Sequence, residues 1–132
     1  GAGGLVGVWA AENTREAIFD ALAKREVYAT SGPRIGLRFG LNQDDAKLCS
    51  AKGWTPQATM GDVTHIDNKP TFTVQIQADV TPIARIEIIK LTYRDEQVDE
   101  EVILLSHKPE GEALACIEWT DEEFDSASAA LW

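Results

Sequence analysis

Along the chain the spacing of apolar residues changes once, from a helical period to strict alternation. Ala17, Ile18, Ala21 and Leu22 recur at helical spacing, with Arg15, Asp20 and Lys24 on the other side. Asn13-Thr14-Arg15-Glu16 reads as a capping box, in which Asn13 accepts a free N–H and Glu16 reaches back. Lys24 and Arg25 suit the negative pole of the helix dipole, so the pattern predicts a helix over residues 14–25. Upstream, Leu5, Val6, Val8 and Trp9 form an apolar segment that needs a partner surface.

Beyond the helix the period is two. Residues 27–30 are a short β-prone run stopped by Ser31-Gly32-Pro33, because Pro33 fixes its own φ and keeps Gly32 out of helical geometry. Ile35, Leu37 and Phe39 alternate with Gly36 and Arg38, the signature of a half-buried strand. Residues 41–70 are irregular, and so long a loop in a compact domain points to a functional insertion or a covering flap. Phe72, Val74, Ile76 and Ala78 then face one way, with Thr71, Thr73, Gln75 and Gln77 on a face expected to be wet. Further strands are expected at 83–91, 98–105 and 113–119, joined by a polar connection at residues 93–97 and a turn at Pro109-Glu110-Gly111. The expected fold class is mainly β with one N-terminal α-helix (α+β), built as an antiparallel β-sandwich-like module of about five to seven strands.

Composition adds a division of charge. The 132 residues carry a net charge of −10, yet residues 1–94 have 11 basic and 10 acidic groups. Residues 95–125 hold 12 acidic groups against Lys108 alone. Such a surface repels phosphate backbones and anionic membranes, so neither nucleic acid nor membrane is an expected partner. The simplest reading of the acidic run is a solvated face. The first eight residues, Gly-Ala-Gly-Gly-Leu-Val-Gly-Val, lack the charged start and long apolar core of a signal peptide. Cys49 and Cys116 have no metal-type spacing and are read either as one bridge or as two buried thiols.

Candidate chemistry is sparse. His65 with Asp62 and Asp67 is the most metal-like group, but a polar loop before Pro70 explains it better. No nucleophile elbow, Walker loop or dinucleotide fingerprint occurs, so no catalytic residue, metal ligand or cofactor is expected in this chain. Thr30-Ser31-Gly32-Pro33-Arg34 stands out, since hydroxyls, backbone N–H groups and a guanidinium meet on one turn. Ser31, Gly32 and Arg34 are therefore the candidate anion-binding residues, for a phosphate or carboxylate. The structural alternative is that Gly32-Pro33 only turns the chain while Arg34 pairs with an acid such as Glu26.

The segment Gly3-Gly4-Leu5-Val6-Gly7-Val8-Trp9-Ala10, the helix Glu12-Asn13-Thr14-Arg15-Glu16-Ala17-Ile18-Phe19-Asp20-Ala21-Leu22, and the run from Arg25 through Ser31-Gly32-Pro33-Arg34-Ile35 resemble one bacterial family. Met60-Gly61-Asp62, the residues from Arg85 to Lys90, and Trp119-Thr120-Asp121 with Asp125 extend the resemblance. That family is uncharacterised and related to metal-dependent hydrolases of the PHP (polymerase and histidinol phosphatase) type. The resemblance implies that the metal-binding His and Asp motifs lie upstream of this segment. A divalent metal is then expected only for that upstream part, and no ligand carries over. It also implies that residues 1–34 are the tail of a hydrolase-like domain and residues 35–132 a β-sandwich-like C-terminal module, with a periplasmic or secreted location.

The expected function is thus a non-catalytic, C-terminal β-rich portion of a larger PHP-like hydrolase. Its role would be structural or cleft-shaping, and its main partner the upstream hydrolase domain of the same protein. The alternative is a stand-alone carbohydrate- or protein-binding sandwich module, with Trp54, Trp119 and Trp132 as stacking surfaces for a small-molecule or carbohydrate ligand.

Overall fold

The structure, a computed structural model, describes residues 3–42, 48–49, 53–105 and 114–132, with the backbone alone for Glu100 and residues 102–105. The expected turn at Pro109-Glu110-Gly111 and the start of a strand at Ala113 lie outside the described residues.

The first strand, β1 (Leu5–Val8), pairs antiparallel with β2 (Val27–Thr30), and the helix α1 (Arg15–Ala23) joins them. The cap is Thr14 rather than Asn13: Thr14 is extended, with φ −121° and ψ 158°, and its hydroxyl accepts the Ala17 N–H at 3.3 Å. With Thr14 as cap, Glu16 falls one position short of where a capping box needs its acid. The helix ends earlier than expected because Arg25 turns left-handed, with φ 62°. The Glu26 N–H then bonds the Ala21 carbonyl at 3.0 Å and the Arg25 N–H bonds that of Leu22 at 3.1 Å, the paired closure of a Schellman motif. Ala21 is buried, but Leu22, expected on the inner face, is 48% exposed.

The seven further strands among the described residues form two facing antiparallel sheets. One has the order β4-β3-β5-β8, from β4 (Ala58–Thr59), β3 (Gly36–Asn42), β5 (Thr71–Gln77) and β8 (Leu114–Thr120). The other has the order β7-β6-β9, from β7 (Gln97–Leu105), β6 (Ile86–Arg94) and β9 (Ala129–Leu131). Val74 and Ile76 of β5 meet Ile86 and Ile88 of β6 between the sheets, with Leu37, Phe39, Ile117, Trp119 and Trp132 around them. Phe72 lies in the same layer, stacked between Phe39 at 5.1 Å and Trp119 at 6.1 Å. The alternation of apolar residues thus builds a mainly β, antiparallel, sandwich-like fold with one helix. β6 begins three residues later than expected and runs on to Arg94. A two-residue turn at Asp95 and Glu96, both with positive φ, closes its hairpin with β7.

The second face of β5 departs from expectation. Arg38, Gln75 and Cys116 lie abreast on the outer face, and Gly40, Thr73 and Glu118 form the next row. That face is not wet throughout, for Thr73 is fully buried and its hydroxyl donates to Asn42 Oδ1 at 2.8 Å. The cover comes from the segment after β3. Leu48 is 2% exposed, Cys49 is bridged to Cys116, and the Cys49 N–H reaches Glu118 at 3.3 Å. Trp54 and Pro56 occupy the space above Gly40 that a side chain there would fill. In the described part of the long irregular stretch, Leu48, Cys49, Trp54 and Pro56 therefore act as a flap, and the Cys49–Cys116 disulfide that holds it spans 67 positions.

Candidate functional site

The turn at residues 31–34 brings its candidate groups to the surface, with Ser31 and Arg34 exposed. Two of its backbone donors are already engaged. The Gly32 N–H points to the Thr30 hydroxyl at 3.3 Å, and the Arg34 N–H donates to Asp79 Oδ2 at 2.9 Å. Arg34 forms no ion pair with Glu26; among the described residues its guanidinium has no carboxylate partner. Ser31 and the Arg34 side chain remain the groups a ligand could reach, beside the Asp79 carboxylate.

A better enclosed arrangement lies between β1, β3 and the flap. The Arg38 guanidinium sits 4.1 Å from the centre of the Trp9 ring and 5.8 Å from that of Trp54. Trp9 is held from both ends: its indole N–H donates to the Leu37 carbonyl at 2.8 Å, and its backbone N–H to the Glu26 carbonyl at 3.0 Å. Gly40, two residues from Arg38 on the same face, lets Trp54 lie against the strand. These residues, with Glu26, Thr55, Gln57 and Asp62, line a cleft of about 470 Å³. Arg25 ties the end of α1 to the segment after β4, because its guanidinium donates twice to the Gly61 carbonyl, at 2.6 and 3.1 Å. Gly61 carries positive φ and packs so closely on the Lys24 and Arg25 backbone that a Cβ would collide with it.

The remaining clusters are structural. His65 meets only Asp67, at 2.9 Å with both side chains 81% exposed, while Asp62 accepts the Thr59 N–H. Among the described residues no three His, Cys, Asp or Glu side chains converge as metal ligands, and no helix is long and apolar enough to cross a membrane. His107 lies outside the described residues. Between the sheets, Lys90 and Asp121 form a buried ion pair at 2.6 Å, and the Trp132 indole N–H donates to the same carboxylate at 3.0 Å. Asp125 clamps the neighbouring turn. The Ala127 N–H and the Ser128 hydroxyl hold its carboxyl below the usual aspartate range; slight desolvation opposes them, and Arg94 and Lys90 add to the lowering.

Over residues 1–131 the sequence matches a family described as a protein of unknown function, DUF3604. The chain belongs to that family. No curated protein matches the DUF3604 chain, and no solved structure does.

Residue types and spacing pointed to only part of the cleft in this DUF3604 chain. Trp54 stood out as an aromatic in a loop, but Trp9 read as part of an apolar segment and Arg38 as the polar half of an alternation. The usable signal was an arginine and a glycine two apart on a strand face, followed by a tryptophan-bearing loop. Trp119 and Trp132, the other expected stacking surfaces, belong to the layer between the sheets.

Proposed function

We propose that this chain is the non-catalytic, C-terminal β-rich portion of a larger metal-dependent hydrolase of the PHP type. Residues 1–34 form the tail of the hydrolase part, and residues 35–132 a module packed against it. The observation that carries this reading is the unfinished state of the β1–α1–β2 unit. Its sheet has two strands, which alone are marginal in water, and among the described residues no third strand joins either edge. Val6 is 65% and Phe19 68% exposed, and Phe19 shares a stripe of α1 with exposed Leu22, three positions on. An apolar surface of this kind fits an interface with a partner domain.

In this reading the divalent metal and its ligands belong to the upstream part, and this chain braces or shapes the substrate cleft. An oxidising compartment fits the Cys49–Cys116 bridge, because such bonds persist where thiols are not kept reduced. Incubated with Mn²⁺ or Zn²⁺ and a generic phosphomonoester, the chain is expected to give background turnover; turnover well above background overturns the reading. A second test places Glu at both Phe19 and Leu22. Tm should fall for the longer polypeptide of the same reading frame and stay within about 2 °C for this chain. An equal fall in both would show that the two side chains serve only the chain's own packing.

A further inference from the structure

We infer that the cleft between Trp9, Arg38 and Trp54 is a binding site for a neutral saccharide ring. The inference is independent of the docking reading above, since it uses the opposite, polar properties of a different surface.

Arg38 lies over the Trp9 ring. Stacking on Trp9 satisfies the face of the guanidinium, at 4.1 Å, but leaves the N–H donors, which lie in its plane. Among the described residues no carboxylate comes within ion-pair distance of Arg38, and no hydrogen bond takes up its donors. Glu26, another residue of the cleft wall, shows the complementary condition. Its backbone N–H and carbonyl are both engaged, while among the described residues its carboxylate accepts no hydrogen bond. The cleft therefore presents in-plane donors and a planar acceptor, with neither consumed internally, beside the indole of Trp54.

These are the requirements of a ring whose vicinal hydroxyls both donate and accept, and whose C–H face is apolar. A hydroxyl pair can accept from Arg38 and donate to Glu26, while the C–H face rests on Trp54. The volume, about 470 Å³, lies within the range of small-molecule sites, roughly 300–1,000 Å³. Charge decides between ligand classes. Glu26 and Asp62 outnumber Arg38 on the cleft wall, so an anionic ligand meets repulsion that a neutral sugar does not.

The test is a titration of the whole chain with neutral trisaccharides (maltotriose, cellotriose, xylotriose and mannotriose) and with trigalacturonate, read by tryptophan fluorescence and ligand-observed NMR. A saturable response to at least one neutral sugar is expected. Arg38→Gln and Glu26→Gln should each weaken it by about tenfold or more, whereas Arg85→Ala, at an exposed arginine outside the cleft, should leave it unchanged. Glu26→Gln spares the Trp9 stack, so it keeps the test valid should Arg38→Gln fold poorly. A flat response to all neutral sugars by both readouts, binding of trigalacturonate alone, or wild-type affinity in Glu26→Gln would each overturn the proposal. None of these variants touches Val6, Phe19 or Leu22, so failure here leaves the docking reading standing.

Discussion

The β1–α1–β2 unit and the two-sheet module show how differently two parts of one chain can be held. The module buries Val74, Ile76, Ile86 and Ile88 between its sheets, closes its outer face with a disulfide-held flap, and joins β6 to the residue after β8 through the Lys90–Asp121 ion pair. The N-terminal unit buries only Ala21 among its apolar residues and leaves Val6 and Phe19 mostly in water. It is held to the module through polar and stacking contacts: Trp9 to Leu37, Arg38 to Trp9, Arg25 to Gly61, and the Arg34 N–H to Asp79. Such contacts fix orientation well but contribute little net free energy, about 1 kcal/mol per hydrogen bond. A region with few buried apolar groups belongs to the low-stability end of a structure and opens first.

The largest expected effect is in the module. Asp121→Asn leaves the Lys90 ammonium buried without its counter-charge and should cost about 3–5 kcal/mol, read as a loss in denaturant unfolding of the whole chain. A cost below about 1 kcal/mol would show that the two regions are not separated by their buried chemistry. Next comes the seam between them. Trp9→Phe removes the indole N–H donor and should cost about 1 kcal/mol. Hydrogen exchange should then quicken in β1, α1 and β2 while β5 keeps its protection; equal acceleration in β5 would mean that the chain opens as one unit. The smallest effect is at Asp125. Its lowered carboxyl stabilises the fold above the ordinary aspartate pKa, about 3.9, and that contribution is lost as pH falls through the lower folded value. The Tm gap between wild type and Asp125→Asn should therefore be full at neutral pH and shrink in acid; a gap that widens in acid would reverse the assignment.

What could be read without coordinates follows the range of the interaction. Local periods placed β2, β3, β5 and the helix, because the cue and its consequence lie within a few residues. The wet face expected for Thr73 failed because its cover arrives through a bond between Cys49 and Cys116, which spacing alone left open. Lys90 occupies an inward position in the alternation of β6, yet nothing nearby marks Asp121, 31 residues on, as its counter-ion. β4 and β9, with two and three residues, are too short to carry a period. The Asp95-Glu96 turn lacks the glycine that usually announces two left-handed residues in a row. The cleft failed for a related reason: Trp9 and Arg38 meet only because the Trp9 indole, just after β1, reaches the Leu37 carbonyl of β3.

One edge of the module has a consequence for how copies of the chain behave together. Among the described residues β7 is the outer strand of its sheet and no strand pairs with it on that side, an edge of the kind that recruits another strand. Asp99 and Glu101 stand exposed along it. Two copies meeting edge to edge would bring these carboxylates together across a strand spacing of about 4.8 Å. Asp99 and Glu101, two members of the acidic run, thus set like charges against each other where two sheets would otherwise join.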